Sequence, residues 1–111
     1  GKTVYDTDIA ASAASLVSNA ASSGKIYKIN SLIISNIDGT NPADITVTLR
    51  NAAGGTTHST IANTVAVPAD ATLIVVSKDT SIYLEEDMSL YVLASAAGDL
   101  SATCSYEEIS E

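Results

Sequence analysis

Three consecutive acids, Glu85, Glu86 and Asp87, join two apolar runs in the stretch IYLEEDMSLYVL. Paired carboxylates serve as general acid and base in glycoside hydrolysis, and carboxylate oxygens also bind hard cations such as Ca²⁺. A glycosidase pair, however, normally faces across a cleft lined with sugar-stacking aromatics, and this chain has no Trp or Phe. Adjacent acids between two strands point to different sides. The pattern therefore favours a hydrated turn over catalysis, and it leaves a weak calcium site as the alternative.

The loop DGTNPAD places Asp38, Asn41 and Asp44 at spacings that could collect oxygen ligands. It lacks the remaining acidic positions of an EF-hand loop. Asp, Gly, Asn and Pro are also the residues that form turns. The composition of this loop therefore favours a turn, again with a weak calcium site left open.

His58 and Cys104 are the only histidine and the only cysteine of the chain. A zinc site would have to combine His58 with Cys104 or with carboxylates at no recognisable spacing, and no GxSxG motif marks a nucleophilic serine. We expect an exposed loop histidine. Cys104 has no partner for an internal disulfide and alternates with polar residues in LSATCSY, which predicts a buried core residue. We therefore predict a protein that is not an enzyme and has no catalytic, cofactor-binding or metal site.

Composition limits the class of protein further. A chain of 111 residues is long enough for one domain, and a hydrophobic content of 46% with 16% charged residues is typical of a globular fold. Thirteen acids against five bases give a net charge of −8, which argues against nucleic acid as a partner. The apolar runs, such as Leu73 to Val76, are far shorter than the roughly 18 residues of a membrane helix, so we expect no membrane association.

Period-two alternation runs through most of the chain. In ADITVTLR, residues 43 to 50, Ile45, Val47 and Leu49 alternate with Thr46, Thr48 and Arg50, which predicts a half-buried strand. Other apolar runs are separated by turn residues such as Gly98. About seven or eight strands in succession predict an all-β fold, a single-domain antiparallel β-sandwich or jelly roll.

The Ala/Ser-rich N-terminal segment is the least determined part. Residues 1 to 23 are expected to form an extended arm or a first strand, and residues 24 to 111 the β-sandwich domain. The alanine content of Asp8 to Gly24 also permits a helix, although its serines favour a loop or an extended chain. The sequence leaves these alternatives open.

The order of the segments resembles a family of small virion proteins of tailed bacteriophages. The similarity covers roughly Lys25 to Ser110, and it is carried by INSLIISN, ITVTLRN, the proline-headed VPADATLIVV, the corner IYLEEDMSL and the C-terminal SYEEIS. Many members have glycine where Glu86 or Asp87 stands here. Such proteins are β-sandwich or jelly-roll components, often trimers, that decorate and cement the capsid shell. The resemblance therefore implies a structural role with no active site to carry over.

The resemblance also implies partners and a location. The expected partners are the major capsid protein of the same phage and further copies of this chain, as a homo-oligomer such as a trimer. The expected location is the capsid surface of the virion, with assembly in the bacterial host cytoplasm; a neck, tail or host-receptor-binding component is the alternative. The candidate contact residues are Thr3, Tyr5, Leu16 and Val17 in the N-terminal segment and Asp38, Asn41 and Asp44 in the loop.

Overall fold

The computed structural model describes residues 1 to 110 and contains nine β-strands in that part of the chain. A short 3₁₀ turn, Lys78–Thr80, separates two of them. The strands are β1 (Lys2–Asp6), β2 (Ala14–Asn19), β3 (Lys25–Asn36), β4 (Ala43–Asn51), β5 (Thr57–Val67), β6 (Thr72–Val76), β7 (Ile82–Leu84), β8 (Met88–Ala94) and β9 (Leu100–Ser110). Among residues 1 to 110, no helix has the length and apolar character needed to cross a bilayer.

The strands form two antiparallel sheets. Sheet A has the order β1-β9-β3-β6, with β7 also paired to β3, and sheet B has the order β2-β8-β4-β5. The pairs nest along the chain: β1 with β9, β2 with β8, β3 with β6 and β7, and β4 with β5. Successive pairs alternate between the sheets, which is a long hairpin wound into a jelly roll. The predicted antiparallel sandwich is confirmed.

Strands β6 and β7 act as two halves of one strand. Both run along β3, β6 beside Leu32 to Ser35 and β7 beside Tyr27 to Ile29. The 3₁₀ turn interrupts them. Counted as one interrupted strand, the pair gives the eight positions of a jelly roll.

The core lies between the sheets and consists of aliphatic residues. Alternating residues of each strand face inward, because successive side chains of a strand point to opposite faces. The fully buried large side chains are Ile9, Ile29, Leu32, Ile34, Ile45, Val47, Val67, Val76, Leu84, Leu90, Val92 and Leu100. Branched aliphatic side chains of this kind fill the thin space between two sheets without large aromatics.

A bulge explains the apolar run of β3. Ile29 and Leu32 are three residues apart, so strict alternation would place them on opposite faces, yet both are fully buried. The pairing of β3 with β9 shifts between Ile29 and Ser31, so Asn30 is an extra residue in β3. The bulge reverses the phase of the strand and keeps both aliphatic side chains in the core.

The N-terminal segment, residues 1 to 23, which we expected to be an arm or a first strand, contributes one strand to each sheet. β1 pairs with β9 along its whole length, from Lys2 opposite Tyr106 to Asp6 opposite Ala102. β2 pairs with β8 and contributes Leu16 and Val17 to the core. Between these strands, the amide of Ile9 donates to the carbonyl of Leu100 over 2.8 Å. The segment is therefore integral to the sandwich.

Candidate interaction surfaces

The acidic triplet forms the turn between β7 and β8. The amide of Met88 donates to the carbonyl of Glu85 over 3.2 Å, and Asp87 adopts a left-handed conformation with a φ of 62°. Glycine is favoured in that conformation, which aspartate adopts less often.

The carboxylates of the triplet point to different loops. An Oε1 atom of Glu86 accepts from the amide of Gly24 over 3.4 Å, and Oδ1 of Asp87 accepts from the amide of Ala53 over 3.0 Å. The corner thus links the β2–β3 loop and the β4–β5 loop to the β7–β8 turn.

Asp38 organises its own loop. Its Oδ1 accepts from the amides of Thr40 (2.8 Å) and Asn41 (3.2 Å), and its Oδ2 accepts from Nδ2 of Asn41 (3.2 Å). These bonds, that from Thr40 first, hold the pKa of Asp38 below its usual value. Asp44 lies apart from them at the start of β4, where its amide donates to the Ser95 hydroxyl over 2.8 Å.

His58 and Cys104 are not brought together. His58 is exposed as predicted, but it lies on β5, the edge strand of sheet B, and not in a loop. Cys104 is fully buried on β9 of sheet A, as predicted. Burial raises the pKa of the Cys104 thiol to about 11, so it stays protonated at neutral pH. Residues 1 to 110 contain no group of three or more His, Cys, Asp or Glu side chains arranged to hold a metal ion, and they form no pocket.

Aspartates from distant parts of the chain gather at one end of the sandwich, in or beside four loops. Backbone bonds join these loops: Ile37 donates to the carbonyl of Asp99 (2.7 Å) and Asp70 to that of Asp38 (3.2 Å). The aspartates of this end are Asp6, Asp8, Asp38, Asp44, Asp70 and Asp99. All five basic residues of the chain lie outside these loops. We call this region the aspartate end.

The carboxylates of the aspartate end influence one another. A hydrogen bond with Asp38 raises the pKa of Asp99 above its usual value, and burial and the negative charges of Asp38 and Asp8 add to the effect. Oδ1 of Asp8 accepts from the amide of Gly98, next to Asp99, over 2.7 Å. The end is therefore strongly negative at neutral pH.

Two buried asparagines connect the sheets, and the sequence analysis did not identify them. Nδ2 of Asn19, at the end of β2, donates to the carbonyls of Lys25 (2.8 Å) and Leu84 (3.0 Å). Nδ2 of Asn36, at the end of β3, donates to those of Asn41 (3.0 Å) and Val67 (2.9 Å). Each donates from one sheet to a carbonyl of the other, Asn19 to that of Leu84 and Asn36 to that of Val67. The sequence feature that could have indicated them is an asparagine at the end of an apolar strand, as in β2 and β3.

The predicted contact residues divide by burial. Leu16 and Val17 are 9% and 6% exposed, so they belong to the core and we leave them out of any contact surface. Thr3 and Tyr5 are exposed on β1. Asn41 is exposed, and Asp38 and Asp44 are half-buried, at the aspartate end.

The outer face of sheet A carries an uncharged band. In register across four strands, Tyr5 lies beside Thr103, Thr103 beside Ile33, and Ile33 beside Ile74. The next row, Thr3, Ser105 and Ser31, is also uncharged, and the hydroxyls of Ser31 and Ser105 lie 2.8 Å apart. We call these two rows the sheet A band. Tyr5 and Ile74, at its two edges, are 69% and 63% exposed.

The outer face of sheet B differs, because its polar groups bond to one another. The guanidinium of Arg50 lies 4.7 Å from the centre of the Tyr91 ring, and its Nε donates to Oγ1 of Thr48 over 2.9 Å. The hydroxyls of Ser15 and Ser18 lie 2.9 and 2.6 Å from that of Ser89. On sheet A, by contrast, the band carries no charged side chain, and the hydroxyls of Ser31 and Ser105 bond to each other.

Comparison with known proteins adds no family. A scan of protein-family models gives no match to this chain, and a search of curated proteins gives none either.

Proposed function

We propose that this protein is a non-enzymatic structural component of a bacteriophage virion that decorates and stabilises the capsid shell as a homo-oligomer. The observation that carries the proposal is the sheet A band, an exposed uncharged surface on a jelly roll of net charge −8. The resemblance of residues 25 to 110 to small virion proteins of tailed phages supports it. The partner in this proposal is the major capsid protein.

The positions of the chemically versatile side chains also support a structural role. Within the acidic triplet, Glu86 and Asp87 accept from two neighbouring loops. Asp38 accepts from its own loop, and Cys104 is enclosed in the core. Each of these groups already serves the fold.

The proposed shell contact is the part of the sheet A band that lies on β1, β9 and β3, which leaves Ile74 of β6 outside it. It contains two of the predicted contact residues, Thr3 and Tyr5, and Thr103 lies near its centre. Hydroxyl and apolar side chains on a rigid sheet are desolvated at lower cost than charges, so the band suits contact with a large flat partner. Several copies bound to one shell would gain further from avidity.

Binding to shells tests the proposal. Purified phage shells that lack this protein are incubated with the wild-type chain, with Thr103→Glu, and with Thr60→Glu as a matched control on the outer face of sheet B. We expect the wild type and Thr60→Glu to bind and to raise the temperature at which the shell releases its DNA. Thr103→Glu should bind at least about 30-fold more weakly, the loss typical of an interface hot spot.

Two results would overturn the proposal. Absence of binding by the wild-type chain would remove the decoration role. Quantitative mass spectrometry of intact particles that finds about a dozen copies or fewer would instead indicate a neck or tail component.

A further inference from the structure

The sandwich has two sides where the sheets end, and one of them is incompletely closed. β1 and β2 lie together on one side, and β5 and β6 on the other. On the β5–β6 side, Val65 pairs with the fully buried Ile45, so its side chain is on the inner face of sheet B. It is nevertheless 38% exposed. β5 has 11 residues, and β6, on the same side of the sandwich, has 5.

Other apolar side chains of this side are also only partly covered. Leu73 pairs with the fully buried Ile34 and is half-exposed, and Ile74 projects from the same strand on the outer face. Ile61, Ala62 and Val75, in the same two strands, are also only partly buried. Partly exposed apolar side chains that cluster on one side of a domain are a mark of an interaction site.

The charge distribution favours a second copy of this chain as the occupant of this surface. Residues 52 to 77, which include β5 and β6, contain one charged residue, Asp70, although the chain has 13 acids and five bases. Two copies, each of net charge −8, repel each other wherever their acids face. A neutral surface lets them approach with less of that repulsion. A basic partner would instead be attracted to the aspartate end.

We infer that the β5–β6 side is the surface through which copies of this chain associate with one another. The inference rests on the homo-oligomer in the proposed function and assigns that contact to a surface, yet it is tested without any shell protein. The contact forms through side chains, with Val65 and Ile74 central to it.

The shape of β5 excludes an intermolecular β-ladder as the main contact. Its pairing with β4 shifts at three places, between Ile45 and Val47, between Val47 and Thr48, and between Leu49 and Arg50, and β5 has the extra residue each time. Thr64 has a φ of 47°. Bulges of this kind break the regular row of donors and acceptors that a second strand needs.

Light scattering coupled to gel filtration tests the inference on the full chain. Ile74→Glu adds one acid to the proposed interface at an exposed position, and Tyr5→Glu adds one acid to an equally exposed position at the opposite edge of the same sheet. Circular dichroism verifies that both variants keep the β-fold. We expect the wild type and Tyr5→Glu to form oligomers, and Ile74→Glu to dissociate roughly 30-fold more readily, as for a hot spot.

Val65→Thr gives a second, nearly isosteric test. It keeps the β-branched shape but replaces a methyl group with a hydroxyl, which weakens the apolar contact. Because Val65 is 38% exposed, the hydroxyl can reach water in the monomer, so we expect the fold to persist. We expect partial dissociation. A monomeric wild type at all concentrations would overturn the inference, as would an oligomer that Tyr5→Glu breaks and Ile74→Glu does not.

Failure of this inference and failure of the proposed function are distinguishable. An oligomer that depends on Ile74 but never binds shells retains the inference and removes the shell role. Shell binding by a monomeric chain would retain the shell role and remove the inferred contact between copies.

Discussion

The two sides of the sandwich differ in charge and in how they cover the core. The β1–β2 side carries the charged residues Lys2 and Asp6, and the β2 residues Leu16 and Val17 are buried in the core. The β5–β6 side has uncharged strands and leaves inner-face residues such as Val65 partly open. A jelly roll closed at one side by its own strands can thus leave inner-face residues of the other side partly exposed.

The means of attachment also differ. On the β1–β2 side, Nζ of Lys2 lies 3.1 Å from Oε1 of Glu108, which ties β1 to β9. The hydroxyl of Ser89, on β8, donates to the carbonyl of Val17 on β2. On the β5–β6 side, Asn36 ties the end of β5 to β3 through the carbonyl of Val67. Substitutions of these bonded residues therefore test how much each bond contributes to the stability of its own side.

The largest effect is expected from Asn36→Ala. The change removes a buried hydrogen bond to the carbonyl of Val67, a partly buried one to the carbonyl of Asn41 and one that Asn36 accepts from the amide of Asp38 over 2.8 Å. Leaving these groups unpaired costs about 3 kcal/mol of unfolding free energy, measured by urea denaturation. Asn63→Ala, at an exposed position of β5, should change stability by less than about 0.5 kcal/mol. Equal losses in the two variants would contradict the role assigned to Asn36.

A smaller effect is expected on the opposite side from Ser89→Ala. The buried Ser89 hydroxyl donates to the carbonyl of Val17 over 3.1 Å. Its loss should cost about 1 to 2 kcal/mol, because the carbonyl stays buried. Ser105→Ala, which removes a partly exposed hydroxyl, is the control and should cost less than Ser89→Ala. Amide hydrogen exchange should quicken in β2 and not in β5; uniform quickening would show that the two sides are not independent.

Asp99→Asn should stabilise the protein at neutral pH. Because the folded-state pKa of Asp99 is raised above 3.8, its favourable contribution is complete below pH 3.8 and is lost as the pH rises through the folded pKa. The neutral amide removes the repulsion by Asp38 and Asp8. The melting temperature should rise at pH 7, and the gain should shrink toward pH 3.8. Asp79→Asn, in the exposed 3₁₀ turn, is the control for the loss of one acid. A gain from Asp99→Asn that grows in acid would contradict the prediction.

The smallest effect is expected from Glu108→Gln. The hydrogen bond from Lys2 holds the pKa of Glu108 below 4.5, with help from Lys25. Its contribution is therefore present above pH 4.5 and is lost as the pH falls through the folded pKa. The variant should melt slightly below the wild type at pH 7, and the difference should vanish in acid and in high salt, since exposed ion pairs are screened. Glu107→Gln is the control; a salt-independent difference would contradict the ion-pair explanation.

Much of the fold was predictable from local patterns. The alternation of Ile45, Val47 and Thr46 gave a strand because period-two burial is a property of the extended chain itself. The bulge at Asn30 was not predictable, since it depends on how β3 pairs with β9. The N-terminal segment was equally ambiguous, because small residues fit a strand, a loop or a helix until a partner strand is present.

The candidate surfaces were less predictable than the strands. Thr3 and Tyr5 are exposed as a contact requires, but Leu16 and Val17 are buried, because only the pairing of β2 with β8 decides which way they face. A bulge in β2 between Ser15 and Val17 changes that direction again. The contribution of Asn19 was missed because a strand-end asparagine resembles a turn residue.

The sequence by itself determined the strands, the turn residues and the charge-poor stretch from 52 to 77, because these follow from side-chain size, backbone preference and composition. Only the tertiary structure decided which segments became neighbours. It brought Asp8, Asp38 and Asp99 to one end, and it placed the neutral strands β5 and β6 on the same side. The physical reason is that pairing and sheet packing depend on contacts between residues far apart in the chain, which no local pattern encodes.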